Sequence, residues 1–177
     1  MTQPTVIYFG PDGGFKTGEA PNKVYFRTLL YSTGKRGQII ENMFIRLRRG
    51  ETQQNFNIWV YGEKELSRGS GLFVSETGLA KNHHFLLPSD GTAFKFFPGH
   101  YTLEVFVTEV GRQSARKLFT LNLEVTGELA KGLSDSGYGL YFDWGPDAQR
   151  YVAHIRKEPR SEAPPSLREL FNTGTDG

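Results

Sequence analysis

Over residues 101–108 the chain alternates strictly. Tyr101, Leu103, Val105 and Val107 fall on one side of an extended backbone, and Thr102, Glu104, Phe106 and Thr108 on the other. Successive side chains of a strand point to opposite faces, so this spacing predicts a half-buried strand and no helix. Pro98-Gly99 before it and Gly111-Arg112-Gln113-Ser114 after it are turn signals that bound the strand. One residue departs from the pattern: Phe106, a large aromatic, sits among polar residues on the side that should meet water.

The same period recurs along the chain, and helix-period runs are nearly absent. Residues 5–9 form a short apolar run ended by Gly10-Pro11-Asp12-Gly13-Gly14. Residues 23–31 set Val24, Phe26, Thr28 and Leu30 against Tyr25, Arg27, Leu29 and Tyr31. In residues 39–48, Met43, Ile45 and Leu47 oppose Ile40, Asn42, Phe44, Arg46 and Arg48. Residues 55–61 set Phe56, Ile58 and Val60 against Asn57, Trp59 and Tyr61. Residues 117–126 set Phe119, Leu121, Leu123 and Val125 against Leu118, Thr120, Asn122 and Glu124. Shorter strands are expected at 71–75, 85–87 and 92–97. Many short strands with Gly/Pro turns between them predict an all-β antiparallel sandwich.

Pro98-Gly99-His100-Tyr101, followed by strand, turn and strand, resembles the end of an immunoglobulin-like or fibronectin-III-like domain. Such folds place a tyrosine corner at the start of the penultimate strand, its hydroxyl tied to upstream backbone, and Tyr101 occupies that position. The resemblance covers about thirty residues and implies an architecture, not a function. The cysteine pair of antibody domains is missing, since the chain has no cysteine.

The texture changes after Thr126, which divides the chain into a sandwich domain (1–126), a linker and β-hairpin extension (127–156) and a charged, Pro-containing tail (157–177). The hairpin is expected from residues 139–144 and 150–155 around Gly145-Pro146-Asp147-Ala148. In the tail, residues 166–171 after Pro164-Pro165 suit one or two helical turns.

Composition narrows the function classes. Hydrophobic residues make up 37% and aromatics 14%, too much for a disordered chain. Absence of cysteine excludes disulfides, thiolate metal sites and cysteine nucleophiles. Twenty-one basic and 19 acidic residues leave +2, a field too weak to imply nucleic acid or an anionic membrane. The first residues lack a basic region and a long apolar run, and nothing later approaches the length of a membrane span. The expectation is a cytoplasmic, soluble protein without a cofactor.

The chemistry-bearing residues form no convincing catalytic set. His83 and His84, with Asp90 and His100, are the best metal candidates. Neighbours on a strand cannot chelate one ion, however, and no H-x-H spacing occurs. The plainer expectation is two loop histidines, with His100 in the turn that leads into the next strand. Ser70 in Arg68-Gly69-Ser70-Gly71 lacks the G-x-S-x-G context of a hydrolase nucleophile. Glu104 and Glu124 invite comparison with a glycosidase pair, but carboxylates on a sheet's wet face are ordinarily just solvated. The glycine-rich loops at 10–14 and 67–71 lack the Lys-Ser/Thr of a phosphate cradle. Arg46, Arg48 and Arg49, with Lys35 and Arg36, make the one basic cluster. Aromatics beside it suit single-stranded nucleic acid, although no recognised signature accompanies them.

In an immunoglobulin-like topology the third strand, its successor and the last two share a sheet. That assignment puts Ile40, Phe44, Trp59, Tyr61, Phe106 and Leu118 on one outer surface, with Arg46 and Arg48 beside them. A free sheet face alternates to polar more cleanly than this, and contiguous exposed aromatics mark a contact surface. The candidate binding face is therefore Phe44, Trp59, Tyr61, Phe106, Arg46 and Arg48. Its cover is either the chain's own hairpin, with Tyr138, Leu140, Tyr141, Phe142, Trp144 and Tyr151, or a protein partner, a second copy included. The functional expectation is a non-catalytic interaction or assembly subunit. A carbohydrate-binding module is the alternative, and an enzyme of unrecognised type comes third.

Overall fold

The computed structural model describes residues 1–12, 21–63, 65–68, 71–88, 94–133 and 137–157. Alternating apolar side chains build two antiparallel sheets packed as a sandwich, because each strand has one face to remove from water. The larger sheet uses β1 (Val6–Pro11), β2 (Asn22–Leu30), β5 (Ile58–Gly62), β6 (Leu66–Arg68), β8 (Leu79–Leu86), β11 (Tyr138–Gly145) and β12 (Arg150–Lys157). Their order is β12-β11-β1-β2-β8-β5-β6. The smaller sheet runs β10-β9-β3-β4, from β3 (Gln38–Arg49), β4 (Thr52–Phe56), β9 (Gly99–Glu109) and β10 (Arg116–Val125). A short strand, β7 (Leu72–Val74), also pairs with β3.

The core lies between the sheets. Met43, Ile45 and Leu47 of β3 and Tyr101, Leu103, Val105 and Val107 of β9 are buried against Ile7, Phe9, Val24, Phe26 and Phe85. The Tyr101–Val107 stripe is thus an inward face. Its next member is Glu109, also buried, whose carboxylate takes ion pairs from Arg116 at 2.5 Å and Arg112 at 2.7 Å.

Four expectations are corrected. First, residues 55–61 are not one strand. Phe56 ends β4 in the smaller sheet, exposed Asn57 makes the crossing, and Ile58 begins β5 in the larger sheet. Changing sheets resets the parity, so Trp59 and Tyr61 pair with Phe85 and His83 on the inner side. Second, the hairpin does not fold over the smaller sheet. It continues the larger one, β11 pairing with β1, and sends Leu140 and Phe142 into the core. Third, bulges at Ile40/Asn42 and Lys117/Phe119 shift the register, which buries Ile40 and leaves Leu118 packed on the core. Fourth, residues 94–97 form no strand, whereas 79–86 form a long one that holds both His83 and His84.

A helix, α1 (Gly127–Gly132), begins the stretch expected to be a linker. Thr126 caps it, accepting the Leu129 amide, with Glu128 in the first turn and Lys131 in the last. Cap and charges follow the helix dipole. Ser70, Asp90 and the tail after Lys157 lie outside the described residues.

Candidate functional site

The outer face of the smaller sheet is built by β3 and β9, whose residues pair in register. Phe44 stands opposite Phe106, Arg46 opposite Glu104, and Arg48 opposite Thr102. The Phe44 and Phe106 rings stack with centroids 4.9 Å apart and planes 8° apart. On its other side Phe106 is in register with Lys117 of β10. The Arg46 guanidinium lies 5.0 Å from the Phe106 centroid, and its Nε donates to Asn55 Oδ1 at 3.1 Å. Both phenyl rings are half-buried.

Glu104 organises the charged part of the face. It is buried to 8% exposure; Lys117 Nζ donates to Oε1 at 3.0 Å, and Arg48 Nε lies 3.3 Å from Oε2. The second contact has ion-pair distance without hydrogen-bond alignment, since Oε2 makes no hydrogen bond. The two cations are about half exposed, so each pair contributes at most ~1 kcal/mol. Their stronger effect is to hold the Arg and Lys side chains in place around Phe106.

At the start of β3 the same face becomes apolar. Ile39 is in register with Phe73 of β7, and the Val110 amide donates to the Ile39 carbonyl. These three side chains are 42%, 55% and 59% exposed, respectively. Asn42 and Thr108 separate them from the phenylalanine pair. The outer face therefore grades from an exposed apolar end, through a stacked aromatic pair, to an arginine-rich end.

Of the six residues expected on one face, the structure unites Phe44, Arg46, Arg48 and Phe106. Trp59 and Tyr61 belong to the opposite sheet and the core side. Trp59 is 2% exposed and its ring packs, tilted by 31°, against Tyr61 with centroids 4.3 Å apart. Its Nε1 donates to His83 Nδ1 at 3.1 Å, which assigns the His83 proton to Nε2. Ile39, Phe73 and Val110 were missed. The only signal was the wholly apolar triplet Leu72-Phe73-Val74, too short for its parity to be read.

The histidines occupy opposite faces of β8 and both are buried. Burial is the main cause that lowers each pKa from 6.5 to about 3, helped by Lys81 at His83 and by Lys23 at His84. His100 is the second residue of β9, not part of a preceding turn. Among the described residues no three His, Cys, Asp or Glu side chains group as metal ligands, and no helix is long and apolar enough to cross a membrane. Comparison with protein-family models, curated proteins and solved structures finds no match to this chain.

Proposed function

We propose that the chain is a non-catalytic protein-interaction or assembly subunit that engages its partner through the outer face of the smaller sheet. The observation that carries this reading is the placement on one sheet face of exposed Ile39, Phe73 and Val110 and, across the polar pair Asn42 and Thr108, of the Phe44–Phe106 stack with Arg46 and Arg48. Aromatic and arginine anchors beside exposed apolar surface are what protein interfaces concentrate. A sugar platform fits less well: Phe44 and Phe106 spend ring faces on each other rather than presenting them outward. The immunoglobulin-like form of the sandwich is part of the same proposal. It is supported by the Tyr101 hydroxyl, which donates at 2.8 Å to the Phe97 carbonyl four residues upstream. The C-terminal extension serves by widening the opposite sheet rather than by covering this face.

Light scattering across a concentration series tests the self-association branch. Wild type is expected to exceed the 20.0 kDa monomer, and Phe73→Asp/Val110→Asp to remain monomeric. A double variant that associates like wild type overturns the assignment of this face.

A further inference from the structure

At the far end of β3 from Phe73, a separate cavity of about 250 Å³ opens beside the turn into β4. Its walls include Phe94, Phe97, Gln53 and Gln54, and among the described residues its charged side chains are Arg49 and Lys95. Among the described residues no acidic side chain lines it. We propose that this cavity binds a small anion, a phosphate or carboxylate group carried on a planar apolar body.

Arg49 is held in place for such a contact. Its guanidinium lies 5.4 Å from the Phe97 centroid, and one N–H donates to the Pro98 carbonyl at 3.3 Å. Guanidinium carries five N–H donors, so most remain for an anion. Gly99 makes room for the Arg49 stem. Its φ is +142°, and a Cβ there would come within 3.2 Å of Arg49 Cδ. The Tyr101 hydroxyl fixes Phe97 from below through the Phe97 carbonyl. Phe97 itself is 53% exposed, an open apolar wall.

The cavity at the other end of the sandwich supplies the contrast. It also contains an arginine, Arg116, but the buried Glu109 carboxylate beside it holds that guanidinium and the one on Arg112. Arg49 and Lys95 pair with no carboxylate among the described residues. Two uncompensated cations over an aromatic wall attract an anion, while the amides of Gln53 and Gln54 offer polar contacts to the rest of a ligand. The volume admits a single-ring molecule rather than a polymer.

The test titrates phenyl phosphate, benzoate, phenol and inorganic phosphate into the full chain and follows backbone amides by NMR. Saturable shifts at Thr52, Gln53 and Phe97 are expected with phenyl phosphate or benzoate, and the stronger of the two identifies the anion. Phenol and inorganic phosphate should each bind at least about tenfold more weakly, as expected for losing a charged contact or an apolar one. Arg49→Gln and Lys95→Gln should each weaken binding severalfold, and Arg112→Gln should leave it unchanged. Lys95 is exposed, so its variant keeps the fold, and the same spectra report that directly. No saturable shift, equal binding of phenol, equal binding of inorganic phosphate, or unchanged binding in Lys95→Gln overturns the proposal.

Discussion

The two outer faces of the sandwich carry aromatic rows that differ at their centres. Across the larger sheet one register row runs His154, Tyr141, Tyr8, Tyr25, His84 and Val60, through six strands. Tyr8, His84 and Val60 are 3%, 1% and 0% exposed. Neighbouring Lys23 and Asp12, joined at 2.7 Å, are equally buried. Across the smaller sheet the corresponding row is Lys117, Phe106 and Phe44, and it remains half-exposed. An aromatic on a sheet's outer side is therefore not by itself a contact residue. On the larger sheet Tyr8 and His84 are buried while Tyr25, Tyr141 and His154 are half-buried; on the smaller sheet both Phe106 and Phe44 are half-buried.

That contrast is broken most readily by truncation. Tyr8→Ala empties a sealed site and should cost about 3 kcal/mol or more in urea unfolding, whereas Phe106→Ala should cost about 1 kcal/mol. Equal costs would erase the distinction between the faces.

Acid titration next probes both faces of the larger sheet, His84 on the outer row and His83 on the core side. His83 and His84 have folded pKa values of about 3 against an ordinary 6.5, so the unfolded chain takes up protons first as pH falls. Their contribution is full above about pH 6.5 and is lost progressively between there and about pH 3. Each imidazole should contribute a slope of up to about 1.4 kcal/mol per pH unit within that window. Urea midpoints that stay flat from pH 6.5 to 4, or imidazole resonances of these two residues that titrate near 6.5, would show the histidines to be open to water.

Gly139→Ala tests the close fit around Tyr8. A methyl group there would overlap the Tyr8 ring, which lies on the glycine. A loss of about 1–3 kcal/mol is expected from overpacking, measured by the same unfolding curves. The smallest effect belongs to the open side: Arg48→Ala should change stability by no more than ~1 kcal/mol, because its pair with Glu104 is half solvated.

Much of the fold was legible because period 2 is a strong signal wherever one face is buried. The inward sets on β2, β3 and β9 follow directly from it. The site was legible only in part, for reasons that lie in particular residues. Asn57 lets the chain change sheets, and nothing in the run Phe56–Tyr61 distinguishes a crossing from a continuous strand. The bulge at Ile40 moves an isoleucine from one face to the other without altering composition. The hairpin was visible, but its partner was not: pairing of β11 with β1 joins residues far apart in sequence, and local pattern holds no record of it. The burial of Tyr8 and His84 is likewise a tertiary fact.

A photo-reactive amino acid placed at Phe73, and in a parallel protein at Val152, measures the central claim most directly. Both positions are more than half exposed, one on the outer face of the smaller sheet and one on the edge strand of the larger. Irradiation in the cells that make the protein should yield a discrete adduct, to a second copy or to one other protein, from position 73 and none from 152. Adducts of equal yield from both positions, or from 152 alone, would contradict the assignment of the interaction face.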